Sequence, residues 1–392
     1  MKSTLASCMA ALALAASAAM TSGSARAADP GITDTTIKIG MMGSLTGPAA
    51  LWGWPTINGA RMIYDKINDE GGINGRKIEL VIEDDQCQAP LALAAAKKLI
   101  SRDEVFMLHG GSCTGAVLPV RDVALKEKIP MMVLVATGDE IVAQPNGYIY
   151  RAFLPGSYDG KIIADFLATA PNVKKVIAVG NTDAIANVRY PVLEASLKDN
   201  KLEYLGLEPI EVEATDATAQ VLKVKSQNPD AIVLVARPEA SAVFLKDAAK
   251  LGLDVPVVGA TVVDLQDLLD RIGDPKPMAN MHVVSFYKSP LDGAPMAPWI
   301  DLLKKYYPKD KVQAAAFYGT SGAIAVVEAL KRVGPDLTRE KFVKAMSEIK
   351  GLDGGPMACT LNFAADDHEG CKTGSVWGMR DGKVTAIGES WK

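Results

Sequence analysis

The sequence predicts an α/β protein made of two doubly wound lobes with a ligand cleft between them. Three observations lead there. Short apolar runs such as Val105–Leu108, Ile129–Val135 and Ala231–Ala236 read as buried parallel strands. Segments with helical apolar spacing separate them, so strand and helix alternate along two similar halves. The chain beyond residue 27 is also roughly 365 residues long, too many for one ordinary core.

The first half opens with the strand Ile37–Met42 and a turn at Gly43–Gly47. Pro48–Trp54 reads as a loop leading into the helix Ile57–Asn68, which places Ile57, Ala60, Ile63, Tyr64 and Ile67 on one face. Gly71–Gly75 supplies a C-terminal stop. The strand Lys77–Asp84 and the helix Leu91–Ile100 follow. Two strands then end in polar turns. Val105–His109 runs into Gly110–Gly115, and Ile129–Val135 runs into Ala136–Gly138. The helix Ala116–Lys126 lies between them, and a short one is expected near Asp139. Helix starts of this kind attract anions, because their first N–H groups lack partners and the dipole is positive there. Two such turns side by side are suited to gripping one carboxylate.

Tyr148–Leu154 reads as the strand that leaves the first lobe. The second series runs through a helix at Asp159–Ala168 and a strand at Lys175–Gly180. A helix at Val188–Leu197, a strand at Glu203–Leu207 and a helix at Ala217–Ser226 follow. Next come the strand Ala231–Ala236, the helix Glu239–Leu251 and the strand Val255–Gly259. His282–Tyr287 is a further strand and a second crossing point. The helices Pro298–Tyr306 and Phe317–Val333 return to the first lobe, with Lys341–Ile349 helical and the tail extended. The expected division is 28–154 with 284–360 in lobe 1, and 155–283 with 361–392 in lobe 2.

The first 27 residues read as a removable secretory leader. Lys2 is basic, Leu5–Met20 is apolar and rich in Ala, and Ala25-Arg26-Ala27 is a small-x-small cleavage site. Removing Lys2 and Arg26 from the 42 basic residues leaves 40 against 46 acidic ones, a formal charge of −6. There is no basic run, so nucleic acid and anionic membrane surfaces are not expected partners. Cys87, Cys113, Cys359 and Cys371 remain, an even number in an exported chain. Of the three possible pairings, Cys87–Cys113 and Cys359–Cys371 join sequence-local turns and are favoured.

Chemistry is sparse. Gly110–Gly115 has no following Lys, so it is not a P-loop, and Gly43–Gly47 is no dinucleotide fingerprint. His109, His282 and His368 lie far apart and read as structural; no metal or cofactor is expected. Cys113 with His109 as base is the one nucleophile an exported amidase-like enzyme could use, and the disulfide reading removes it. Trp52 is placed to cover an apolar ligand. Arg237, at the end of its strand, either faces the cleft or pairs with Glu239.

At these residues the chain resembles the exported leucine/isoleucine/valine-binding receptors of ABC importers. The matching pieces are Ile39-Gly40 to Gly47-Pro48, Trp52-Gly53, Asn58-Gly59-Ala60-Arg61, and Asn68 to Gly75. Asp84-Asp85-Gln86-Cys87, Cys113-Thr114, Ala136-Thr137, Pro238-Glu239 and Ala248–Gly252 extend the match over nearly the whole mature chain. The resemblance implies a type I periplasmic binding protein, monomeric, with three crossovers and a ligand shut between the lobes. It implies permease subunits of an importer as partners, a periplasmic location and no catalysis. By position it assigns the ligand's carboxylate to Thr114, Val135, Ala136 and Thr137, places Trp52 over the ligand, and adds Tyr158 and Thr261 to the lining. It also supports the Cys87–Cys113 bridge.

One departure matters. Amino-acid receptors place an acid just after a second-lobe strand ending in Gly. Here Gly259 is followed by Ala260-Thr261-Val262, with no acid before Asp264. A buried ammonium without a partner is costly, so an aliphatic or aromatic carboxylate lacking the amine is expected. Arg237 would add a positive contact to it. Glu239 or Asp183 standing in for the acid would restore amino-acid binding. A sensor for a membrane kinase remains the alternative to transport.

Overall fold

The computed structural model describes residues 29–47, 49–143 and 147–391. The leader reading and Pro48 fall outside the described residues. The first sheet takes β1 (Thr36–Gly43), α1 (Ala50–Asp69), β2 (Lys77–Asp84), α2 (Ala89–Ser101), β3 (Met107–Gly110), α3 (Thr114–Lys126), β4 (Met131–Val133) and β5 (Ile149–Arg151). Its strands are all parallel, in the order β2-β1-β3-β4-β5. β3 and β4 are buried along their whole length, which is why they read as continuous apolar runs without alternation.

The second series is α4 (Tyr158–Ala168), β6 (Lys175–Gly180), α5 (Ala184–Asn187), α6 (Tyr190–Asp199), β7 (Glu203–Pro209), α7 (Thr218–Ser226), β8 (Ala231–Val235), α8 (Pro238–Lys250), β9 (Val257–Gly259), α9 (Leu265–Ile272) and β10 (Met281–Ser285). The chain then returns to the first lobe through α10 (Ala297–Tyr306), α11 (Thr320–Val333) and α12 (Arg339–Ser347). α10 and α11 pack on α1, and α12 packs on α11. A small hairpin of β11 (Leu352–Asp353) and β12 (Thr360–Leu361) leads back to β13 (Gly374–Arg380) and β14 (Lys383–Trp391). These last two strands add an antiparallel edge, giving β14-β13-β10-β9-β8-β6-β7.

The chain therefore passes between the sheets three times, at 152–157, 286–296 and 362–373. Both parallel sheets reverse strand order beside their first strand, between β1 and β3 and between β6 and β8. Loops leaving the carboxyl ends on either side of such a reversal diverge and open a crevice, the usual ligand position in sheets of this kind.

Two readings change. Trp52 and Trp54 lie inside α1, which begins at Ala50, and not in a loop. Gly53 and Pro55 read locally as helix breakers, but the contact with the β1 loop requires Gly53: a Cβ there would lie 1.5 Å from the Ser44 carbonyl oxygen. The helix α9 was also unforeseen. The Asp264 side chain caps it by accepting from the Asp267 amide at 2.9 Å.

Candidate ligand-binding site

At the reversal of the first sheet, β3 ends at Gly110 and the chain turns at Gly111 (φ +96°), where a Cβ would meet Val117 at 2.2 Å. Cys113 caps α3 in an extended conformation, so the first amides of Thr114 and Gly115 have no carbonyl one turn back. The turn after β4 lies alongside. The Ala136 amide donates to the Gly111 carbonyl at 3.3 Å. Among the described residues no peptide is cis, so the Val135 carbonyl in that same peptide points the opposite way, out of the sheet end. The Gly138 amide donates to Thr114 Oγ1 at 3.0 Å. That bond uses an acceptor position on Thr114 and leaves its hydroxyl proton free to donate. Thr114 thus lies beside the turn that carries Thr137 and Gly138. The buried Ser112 hydroxyl beside them has no partner.

Two residues that hold this turn went unread in the sequence. Arg151, fully buried at the end of β5, donates from Nη1 to the Ala136 carbonyl at 3.0 Å and the Gly138 carbonyl at 2.8 Å. Its Nε donates to both Glu369 carboxylate oxygens, at 3.0 and 2.9 Å, and its Nη2 pairs with Oε2. Burial pushes the Glu369 carboxyl up to about 7, against the pull of Arg151. A separation of 218 residues hides this pair from any local pattern.

The second lobe contributes a second buried pair. Asp159, in the first turn of α4, accepts from Arg189 Nε at 2.7 Å, and both side chains are buried. Asp159 Oδ2 also accepts from the Thr261 hydroxyl at 2.7 Å and the Thr261 amide at 3.2 Å. The one hydroxyl proton of Thr261 is therefore engaged by Asp159. Asp159 Oδ1 is buried with no partner.

The other expected residues lie as follows. Trp52 is 57% exposed in the first turn of α1. Tyr158 is half-buried beside Asp159, in the field of Lys372, Glu369, Asp367 and Asp139. Arg237 is exposed at the reversal of the second sheet and pairs with Asp183 at 2.9 Å, not with Glu239. Glu239 pairs with Arg271 at 3.0 Å. Neither proposed substitute for the missing acid is therefore without a cationic partner. A separate groove of about 350 Å³ between α1, α10 and α11, lined by Ile63, Trp299 and Leu302, includes none of the expected residues.

The two carboxyl ends meet at the passages between lobes. Asp139 accepts from the Ser157 hydroxyl at 2.8 Å. Phe153, Phe286 and Tyr318 form an aromatic cluster with ring centroids 4.5–5.7 Å apart. Tyr318 also lies in the field of Asp264, which follows β9.

Both expected disulfides are present, Cys87–Cys113 and Cys359–Cys371, with Cα atoms 5.4 and 5.3 Å apart. Cys113 is therefore no nucleophile. His109 is buried against Tyr64, with Nδ1 2.7 Å from the phenol oxygen, and burial pushes its pKa down to about 3. Among the described residues no three His, Cys, Asp or Glu side chains are grouped to hold a metal, and no helix is long and apolar enough to cross a membrane.

Two doubly wound lobes joined by three connections, with hydroxyl and amide groups at the strand ends of the first sheet, form a two-lobed α/β fold. Residues 36–382 match the periplasmic binding protein family model, and the chain belongs to that family. It is 26% identical over 239 residues to a leucine-, isoleucine-, valine-, threonine- and alanine-binding protein of Pseudomonas aeruginosa, covering 61% of this chain and 64% of that one. The match thus spans less than two thirds of that relative's length. Among solved structures it resembles a fatty acid ABC transporter substrate-binding protein from Thermomonospora curvata, with TM-score 0.72, 23% identity and 93% and 94% of the two chains covered. It also resembles a branched-chain amino acid ABC transporter protein from Thermus thermophilus with bound valine, with TM-score 0.75, 18% identity and 92% and 97% coverage. These two likenesses establish the fold.

Proposed function

We propose that this protein is a periplasmic receptor that closes around one small carboxylate lacking an α-amino group and delivers it to the permease of an ABC importer. The ligands in the relatives' names, amino acids and fatty acids, share a carboxylate. The first lobe offers it the Thr114 and Thr137 hydroxyls and the unpaired amides at the start of α3. Closure removes water and so strengthens those contacts.

The observation that carries the amine-free reading is the second-lobe cluster. Thr261 stands after β9, where an acid would take an ammonium, and its hydroxyl is engaged by Asp159. Asp159 is itself matched by Arg189, so an arriving ammonium meets a cation beside that buried acid. Phe153, Phe286 and Tyr318 favour an apolar or aromatic tail. Two observations favour amino acids instead: Asp159 Oδ1 is unbonded, and the Val135 carbonyl can only accept, so its partner must be a donor such as a hydroxyl or ammonium.

Thermal melts with paired compounds test the proposal. 3-Phenylpropanoate and phenylalanine differ only by the amine, as do 4-methylpentanoate and leucine. An amine-free acid at 100 times its Kd should add about 2.7 kcal/mol. No shift with any carboxylate or amino acid overturns the receptor reading. Thr137→Ala should weaken the best-binding acid by about 1–3 kcal/mol, measured by calorimetry, through loss of a charge-assisted hydrogen bond. Unchanged affinity would show that the carboxylate sits elsewhere.

A further inference from the structure

We propose that Arg151 is a positioning residue that couples the hinge to ligand capture: its guanidinium orients the turn around Thr137 and ties it, through Glu369, to the third passage between the lobes. The inference rests on the reading of Thr137 as a ligand contact.

Arg151 ends the strand from which the chain leaves the first lobe, and Glu369 lies on the last passage back. The two passages are bonded to each other along the backbone. The Arg151 amide donates to the His368 carbonyl at 3.0 Å, and the Gly370 amide donates to the Arg151 carbonyl at 2.8 Å. The side chains cross-link them a second time and reach the binding turn as well. Nε and Nη2 hold Glu369, while Nη1 holds the two carbonyls that flank Thr137. Because those carbonyls point at Arg151, the amides of Thr137 and Asp139 point away from it. A guanidinium is a rigid planar fork, so its acceptors hold one another in a fixed relation. Its charge is fully buried, and losing Glu369 would leave it unmatched. Movement of the third passage relative to β5 therefore pulls on the turn. Asp139, tied to Ser157 on the first passage, adds a second link.

The charged and titratable groups around Glu369 are Arg151, Asp139, Lys372 and Tyr158, with Asp367 accepting from the Glu369 amide and pairing with Lys372. The neighbouring His368 is held below its ordinary value by burial. Glu369, pushed up to about 7 by burial, changes charge between pH 6 and 8.

The test compares wild type with Glu369→Gln and Arg151→Lys. Arg151→Lys keeps the charge and removes the fork. In ligand-free protein, native-state hydrogen exchange at the Ala136 and Gly138 amides should quicken about tenfold in both variants. Exchange at Val233, in the second sheet, should not change. Quickening confined to Arg151 and Gly370, or wild-type protection in Arg151→Lys, overturns the coupling.

Calorimetry with 3-phenylpropanoate supplies the second arm. Wild-type affinity should fall by up to about tenfold from pH 8 to pH 6, as Glu369 gains its proton, while Glu369→Gln stays flat. A flat wild-type profile contradicts the proposal. If 3-phenylpropanoate does not bind wild type at all, the ligand class is wrong, and the exchange measurement still decides the coupling.

Discussion

Replacing Arg189 with methionine should lower the unfolding free energy by roughly 3–5 kcal/mol, because it leaves Asp159 buried without its cation. Asp159 has no solvent exposure and Arg189 only 4%. With Arg189 gone, the two bonds from Thr261 remain, and they cannot neutralise a charge held away from water. Methionine roughly keeps the side-chain length and volume at this position, which directly precedes α6, so the loss reports chiefly the charge. The double variant Arg189→Met with Asp159→Asn should recover most of it, since removing both charges removes the mismatch. Urea melts of the four proteins measure this cycle. A single variant as stable as wild type would show that water or another group already matches Asp159, and that Arg189 does not set the charge balance an incoming ammonium would meet.

Removing the first disulfide, with Cys87→Ser and Cys113→Ser together, should cost about 3.5 kcal/mol in the chain-entropy model. The bridge spans 26 residues, against 12 for Cys359–Cys371. It also holds an unfavourable backbone. Gln86 and Cys87 both lie in the left-handed region, at φ +48° and +56°, a conformation that costs roughly 1–2 kcal/mol for each such residue. The buried Asp85 carboxylate steadies the turn by accepting from the Cys87 amide at 2.9 Å. Since Cys113 caps α3 directly before Thr114, the double variant should also bind its best acid more weakly. Stability and affinity both matching wild type would mean that Asp85 alone fixes the turn.

Local sequence carries the architecture because buried parallel strands need continuous apolar runs, and Ala231–Val235 is buried throughout. The disulfides were legible from count and proximity. Trp52 lies in a helix where a loop is expected: Gly53 and Pro55 disfavour a helix locally, whereas the close approach of Ser44 is a tertiary demand that no local pattern displays. The polar framework of the cleft was hidden for the same reason. Arg151 and Glu369 are 218 residues apart, and Asp159, on α4, is 30 residues from Arg189, which directly precedes α6. Arg237 was read correctly as a strand-end cation, but its partner Asp183 comes from the neighbouring strand end, where order in space departs from order in sequence.

The second-lobe cluster therefore alters the meaning of Thr261. In the sequence it is an acid that is missing. In the structure it is one member of a matched set, with its hydroxyl turned onto Asp159 and Arg189 beside it. The melt of the wild-type protein with 3-phenylpropanoate beside phenylalanine tests this most directly, because the two compounds differ only in the ammonium. A second lobe built for an amine-free ligand gives a shift with 3-phenylpropanoate and little or none with phenylalanine. A larger shift with phenylalanine would contradict it and would make Asp159 Oδ1 the ammonium's partner.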